Sequence, residues 1–283
     1  MSVVLITGCS TGIGRELARV CAEAGDRVYA TMRDPSKAGD LEALAGVTVL
    51  ALDVTDDESV AKAVDEALRS AGRLDVVVNN AGIDTLGAVE DIALDKVREI
   101  METNFFGALR VTRRALPAMR AQGAGTIVMV TSLAAAFSTY GEGAYAASKR
   151  ALEGAAEVLQ NEVARWGIRV LVIRPGYVAT PIAGKSIPGS ASPPDSSYRE
   201  LIRLYGEQDE RGVREGAPAV EIAREIRDAY TGASEAFYVP VGEDARQLIP
   251  WRRTTDDRQF FEQVPSLLEF EWWLNGDQGP PQQ

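Results

Sequence analysis

The stretch MSVVLITGCSTGIGRELA, Met1 to Ala18, decides the fold. Its VVLIT run, Val3–Thr7, is nearly continuously apolar, as a parallel strand buried on both faces would be. It passes straight into TGCSTGIG, Thr7 to Gly14, and a helix-period segment follows. Glycines let such a turn tighten and its backbone approach a pyrophosphate, whose charge the helix N-terminus beyond would favour. The spacing is not the usual G-x-G-x-x-G. Three residues separate Gly8 from Gly12, and one separates Gly12 from Gly14. An ordinary strand-ending turn carries glycines too, so the remainder of the chain has to discriminate.

Working outward, the same alternation repeats. Arg27–Met32, Val47–Leu52, Asp75–Asn79, Thr126–Thr131 and Ile168–Ile173 read as further buried strands. Helices are expected between them at Gly12–Ala24, Asp56–Ala71, Leu94–Arg120 and Ala144–Trp166, with TDDE (Thr55–Glu58) as a capping box opening the second. A helix near Val220–Tyr230 and a seventh strand, Ala236–Val241, follow. Such βα alternation with right-handed crossovers builds an α/β fold: a Rossmann-type, doubly wound, parallel seven-stranded sheet with helices on both faces. No internal repeat or linker separates two cores, which predicts a single domain.

Two regions break the rhythm. The segment from Thr180 to Gly216 holds GKSIPGSASPPDSS and then a short helix, SYRELIRLYGEQ; an insertion of this length is expected to act as a lid over substrate. Beyond Gly242 the chain is charged and rich in aromatics (Trp251, Phe260, Phe261, Phe270, Trp272, Trp273), and it ends in GDQGPPQQ, a disorder-prone composition. The expected organisation is a catalytic unit over residues 1–242, with its lid at 180–216, and an extension over 243–283.

Composition narrows the chemistry. The chain has 283 residues, is 46% hydrophobic and carries a formal charge of −11, which argues against nucleic acid as a partner. Its two cysteines, Cys9 and Cys21, have neither disulfide nor zinc spacing and suit a reducing cytoplasm. No apolar run is long enough for a membrane span, and a first strand at Val3 leaves no room for a signal peptide, so a cytoplasmic location is expected. There is no histidine, which removes Ser-His-Asp and Cys-His systems and histidine-ligated metals; no metal site is expected. Acid–base chemistry falls to carboxylates, Lys or Tyr.

GAYAASKRALEG, Gly143 to Gly154, supplies one pair of that kind: Tyr145 and Lys149, at i and i+4, share a helix face. With eight Tyr and five Lys, a Tyr-x-x-x-Lys is expected by chance only about 0.14 times. A free phenol has a pKa near 10. A neighbouring ammonium favours phenolate and is expected to lower that value.

In combination these motifs resemble the short-chain dehydrogenase/reductase family. TGCSTGIG is similar to its T-G-x-x-x-G-x-G cofactor turn, NNAG (Asn79–Gly82) to its signature after the fourth strand, and YAASK to its Tyr-Lys pair. NFFG (Asn104–Gly107), Ser132 in VMVTS and PGYVAT (Pro175–Thr180) fall in the expected order. TGCSTGIG, YATMRDPSK and LDVTDDESV point to the branch containing 17β-hydroxysteroid and retinol dehydrogenases.

The resemblance implies a catalytic tetrad. Tyr145 would exchange the proton, Ser132 would hydrogen-bond the substrate oxygen, Lys149 would bind the nicotinamide ribose, and Asn104 would hold a water linking Lys149 to solvent. It also implies cofactor contacts from Gly8, Ser10, Thr11, Gly12, Ile13 and Gly14 in the turn. Asp53 would meet the adenine, with Val54 beside it; as a plain reading, Asp53 also suits a turn before the next helix. Asn80, Ala81 and Gly82 would line the adenosine and ribose path, and Asn79 would tie strands together. Pro175, Gly176, Val178 and Thr180 would close over the nicotinamide.

Cofactor choice rests on adjacent residues. The carboxylate that usually selects NAD at the end of the second strand is replaced by Met32, and Arg33 follows with a fork suited to a 2′-phosphate. Ser10 adds a hydroxyl. NADP(H) is therefore expected over NAD, unless Arg33 is a solvated charge paired to Asp34. The expected activity is interconversion of an alcohol and a ketone or aldehyde on a small apolar substrate, such as a steroid, retinoid or aryl ketone. A 3-oxoacyl or polyketide ketoreductase is the alternative enzyme, and a catalytically silent NADP-sensing protein the alternative outside enzymes. Pairing through the helices around Asn104 and Tyr145 makes a homodimer or homotetramer the expected assembly.

Overall fold

In the computed structural model, which describes residues 1–180, 193–232, 235–276 and 279, the strands form where the apolar runs predict them. They are β1 (Val3–Thr7), β2 (Arg27–Met32), β3 (Val47–Ala51), β4 (Val76–Asn79), β5 (Gly125–Val130) and β6 (Ile168–Pro175). Two dipeptide strands, β7 (Val178–Ala179) and β8 (Ala217–Pro218), pair only with each other, and β9 (Tyr238–Val241) returns to the main sheet. The main sheet is parallel throughout, in the order β3-β2-β1-β4-β5-β6-β9. Leu5 of β1 sits between Tyr29 of β2 and Val77 of β4.

Because successive strand residues face opposite sides, each strand feeds two cores. Leu5, Val77, Ile127 and Val170 pack against α2 (Asp57–Ala71), α4 (Gly107–Gln122) and α5 (Gly143–Val163). Val4, Ile6, Val78 and Val128 pack against α1 (Gly12–Glu23) and α7 (Ala219–Thr231). Both faces are covered, which is why these strands lack polar alternation.

Four local expectations change. The cap of α2 is Asp56, whose carboxylate accepts from the backbone of Glu58 (2.8 Å) and Ser59 (3.2 Å); Thr55 donates its hydroxyl to Asp53 instead (2.8 Å). The single helix expected over 94–120 is two helices, α3 (Leu94–Met101) and α4, joined by a π-helical turn at Glu102–Phe106. Such turns swell a helix by one residue and recur at functional sites. The short helix near residue 200 is a long one, α6 (Arg199–Glu215), supported by pairing of Arg203 with Glu200 and Glu207. The extension is helical, with α8 (Glu243–Thr254), α9 (Asp257–Leu267) and α10 (Glu271–Leu274).

The aromatics of that extension form packing clusters. Phe137, Trp251 and Phe260 make one, and Tyr140, Tyr205, Phe270 and Trp272 another. Of the expected lid, residues 181–192 lie outside the described residues, as does the GDQGPPQQ tail apart from Gly276 and Gly279. Among the described residues, no helix is long and apolar enough to cross a membrane, and no carboxylate–cysteine cluster suits a metal.

Candidate active site

The strand order reverses between β1 and β4, and in open α/β sheets a crevice forms at such a point, beyond the carboxyl ends of the strands. Here it is occupied by the glycine turn. Gly8 has φ +76°, and a Cβ on it would come within 2.8 Å of Ala81 Cα; one on Gly14 would come within 2.7 Å of Gly8 O. The turn is clamped to the end of β4 by Thr7 and Asn80. Thr7 Oγ1 accepts from the backbone N–H of Asn80 (3.0 Å) and Ala81 (2.9 Å), while Asn80 Nδ2 donates to Thr7 O (2.8 Å). Asn79 ties β4 to α4 and β5 by donating to Thr112 Oγ1 (2.9 Å) and to Met129 Sδ (3.3 Å).

One cavity of about 610 Å³ runs from this turn across the sheet edge. Gly8, Ser10, Thr11, Gly12 and Ile13 line its start, but Gly14 lies beneath the turn and out of the cavity. The hydroxyl of Thr11, at the N-terminus of α1, is buried with no hydrogen-bond partner, and the first turn of α1 holds no acidic residue. An orphan donor, a helix N-terminus and glycines that keep Cβ atoms out are what a pyrophosphate needs. The residues present therefore fit a dinucleotide.

Arg33 and Met32 line the next part, joined by Lys37, which sequence reasoning missed although it lies only four residues beyond Arg33. Arg33 is exposed and makes no ion pair with a described residue. Asp34 faces away from it in function: its carboxylate accepts from the backbone N–H (3.1 Å) and the hydroxyl (2.7 Å) of Ser36. Asp53 and Val54 also line the cavity. Asp53 Oδ1 caps the local turn at Thr55 N (2.9 Å), so its turn role is real, and Oδ2 makes no described hydrogen bond.

The far side of the crevice brings Ser132, Tyr145 and Lys149 together with Asn80, Ala81 and Gly82. Ser132 and Tyr145 are within hydrogen-bonding reach through their hydroxyls. Lys149 is 4% exposed, donates from Nζ to Val130 O (3.1 Å) and sits 5.6 Å from the Tyr145 ring centroid. Burial pushes its pKa down to about 8, with Asp84 and Glu153 opposing.

One expectation about this group is corrected, and one residue is placed differently from its neighbours. The Tyr145 phenol is pushed up, not down: burial is the largest cause, Asp84 adds to it, and the Ser132 hydrogen bond only partly opposes them. Asn104 does not open onto the cavity. It is 1% exposed; Oδ1 accepts from Ile83 N (2.9 Å), and Nδ2 donates to Ile83 O (2.9 Å) and Ser148 Oγ (3.1 Å). Its amide positions the loop after Gly82, and Oδ1, beside Gly82, accepts only this one described hydrogen bond.

Pro175, Gly176, Val178 and Thr180 form the facing wall, held from behind by Asp244 of α8, which accepts from Tyr177 N (2.7 Å). The remaining wall comes from Leu133, Phe137, Thr139 and Glu142 before α5, and from Tyr205, Asp209 and Val213, one face of α6 at i, i+4 and i+8. Leu248, Leu267 and Leu268, and none of the extension's aromatics, complete it. The carboxylates Asp84, Glu142 and Asp209 were not anticipated. Burial raises all three, Asp84 to about 6 and Glu142 to about 8; Asp209 adds to the rise of both, and Glu210 to that of Asp209. Cys9 lies sealed under the turn, its thiol pushed by burial up to about 12, which makes it inert.

The family model described as "short chain dehydrogenase" matches residues 2–190. Retinol dehydrogenase 8 of Homo sapiens is 41% identical over 255 residues, 87% of this chain and 75% of that protein. A short chain dehydrogenase/reductase of Burkholderia phymatum in complex with NAD superposes with a TM-score of 0.79 at 24% identity, covering 94% of this chain and 95% of that one. A short chain dehydrogenase of Burkholderia cenocepacia J2315 in complex with NADP gives 0.73 at 25% identity, covering 94% and 97%. The chain belongs to the short-chain dehydrogenase family, on its retinol- and steroid-dehydrogenase-like side. It is an NAD(P)-dependent oxidoreductase acting on CH–OH groups.

Proposed function

We propose that this protein is an NADP-preferring dehydrogenase/reductase that interconverts an alcohol with a ketone or aldehyde on a substrate with an apolar body. The observation that carries the reading is the meeting of Ser132, Tyr145 and Lys149 on one wall of the cavity that begins at the glycine turn. When bound, the nicotinamide supplies or takes the hydride. The chain's own residues handle the rest. Ser132 donates a hydrogen bond where charge grows on the substrate oxygen. Tyr145 gives that oxygen its proton in reduction and takes it back in oxidation. A raised phenol stays protonated at neutral pH and is ready as an acid; in oxidation, Lys149 stabilises the phenolate.

Arg33, free of Asp34 and joined by Lys37, supports NADP by offering two cations where a 2′-phosphate would lie. Phe137, Leu248, Leu267 and Leu268 support the apolar body. A 3-oxoacyl substrate fits less well, because its phosphopantetheine arm wants a basic rim and this end of the cavity carries carboxylates. A silent sensor has no need of an assembled Ser-Tyr-Lys group. Exposed Phe106 and Val158, on the helices beside the tetrad, favour a homo-oligomer, and the cysteine usage favours the cytoplasm. The test is oxidation of NADPH or NADH dependent on steroid, retinoid, aryl and acyl-thioester carbonyls. Turnover of apolar carbonyls, faster with NADPH, is expected; turnover of acyl thioesters alone, or of none, would sink the reading.

A further inference from the structure

The cavity is electrically divided. Its lining cations, Arg33, Lys37 and Lys149, all lie on the cofactor side or at the tetrad. On the substrate side the lining charges are Asp84, Glu142 and Asp209, without a Lys or Arg among the described residues. None of the three forms an ion pair with a described residue. Their polar contacts are few: Asp84 Oδ1 accepts from Thr85 N (2.6 Å), Glu142 is met by the Tyr205 hydroxyl, and Asp209 by the Tyr177 hydroxyl.

Glu142 and Asp209 do little for the helices that carry them. Glu142 stands at the N-cap of α5, where its side chain caps nothing. Asp209 sits inside α6, where Asp is a poor helix former. Helix α6 is brought close by flanking glycines: a Cβ on Gly206 would come within 2.9 Å of Leu86, and one on Gly212 within 2.8 Å of the Tyr177 ring. That close approach is what carries Asp209 into the cavity wall. The ligand site is defined independently of these carboxylates, since Tyr145, only 9% exposed, opens onto the same cavity.

We propose that the substrate bears a cationic group, a protonated amine, which Glu142 and Asp209 receive while the reacting carbon lies at Tyr145 and the apolar body lies along Phe137 and Leu268. The inference rests on the alcohol–carbonyl reading above and narrows it to amino ketones and amino alcohols. Carboxylates crowded in one wall without a described cation disfavour one another's ionised forms, and an ammonium favours those forms while filling their acceptor sites. A neutral group at that wall leaves the half-buried acceptors without a donor, so neutral substrates are turned over more slowly.

The test uses matched aryl ketones whose para side chain ends in ammonium, hydroxyl or methyl, at two tether lengths, with NADPH. At one length or both, kcat/KM for the ammonium probe should exceed that for the hydroxyl probe by at least about tenfold, with methyl lowest. Glu142→Gln and Asp209→Asn should each shrink the ammonium-to-hydroxyl ratio at least about threefold, a ratio that cancels any general loss of activity. Equal or better turnover of the hydroxyl or methyl probe at both lengths overturns the proposal and leaves the dehydrogenase reading standing. So does an equal loss on all three probes in both variants. Calorimetric binding of the same probes to the protein–NADP complex separates the two claims. Tighter ammonium binding without any hydride transfer would sink the dehydrogenase reading and keep the cationic site.

Discussion

The cofactor half and the substrate half of the cavity are assembled by opposite means. The cofactor half comes from the carboxyl ends of successive strands: Thr7–Ile13 after β1, Arg33 and Lys37 after β2, Asp53 and Val54 after β3, and Asn80–Gly82 after β4. Its shape is made of backbone, glycines and short hydroxyls, and its side-chain charges are chiefly positive. The substrate half gathers single side chains from the loop at Asp84, the segment before α5, one face of α6, and leucines of α8, α9 and the residue that follows. Its titratable groups are chiefly carboxylates. A dinucleotide has a fixed form, and a fixed backbone can match it. Substrate selectivity is set by side chains, whose replacement leaves the sheet untouched.

The largest effect is expected at the seam between the halves. Tyr145→Phe should cut turnover by roughly 10²–10⁴ while the NADP dissociation constant stays within about threefold of the parent's. Steady-state kinetics and calorimetry on one preparation read both. Near-normal turnover would remove Tyr145 from the chemistry.

In the cofactor half, Arg33→Ala should lower kcat/KM with NADPH about tenfold, about 1.4 kcal/mol, and leave NADH nearly unaffected. Met32→Asp should turn preference toward NADH by repelling the 2′-phosphate. Equal parent efficiency with both cofactors would rule out the phosphate site.

The substrate half should show itself in the pH dependence of stability. Glu142 has its pKa raised from the ordinary carboxylate range to about 8, so the folded protein binds more protons than the unfolded chain between about 4.5 and 8. Stability contributed by this group is present at low pH and is lost as pH rises through that window. Glu142→Gln should therefore gain on the parent between pH 5 and pH 8, on the order of 1 kcal/mol in urea unfolding. An unchanged difference between the two pH values would refute the account of Glu142 as a desolvated carboxyl. The smallest effect belongs outside both halves. Asp56→Ala should cost about 1 kcal/mol of stability through the lost cap of α2, with kcat unchanged.

Most of the cofactor half was legible in the chain. The strand ends, the glycine spacing and the NNAG and Tyr-Lys motifs each span only a few residues, and Arg33 follows its strand directly. What was missed there was small: Lys37, one turn further along, and the burial of Gly14. The substrate half was legible only as segments. The region before α5 and the insertion were expected to line the pocket, but nothing local distinguished Glu142 or Asp209 from solvated charges. The i, i+4 pairing of Tyr205 with Asp209 was the one usable signal.

The sheet, its handedness and the position of the glycine turn follow from residue order, because β-branching, glycine sterics and the helical repeat act over a few residues. So does the placing of Tyr145 above Lys149. Whether Lys149 could lower that phenol was another matter: burial and Asp84, 61 residues away in the chain, reverse the direction. Asn104 likewise carries the right residue type, but only packing showed that its amide holds Ile83 and Ser148 from outside the cavity. Arg33 was left open to a phosphate because Asp34 turned to Ser36. Desolvation and Coulomb energy depend on distance in space, and residues far apart along the chain acquire that distance only when the helices and loops pack.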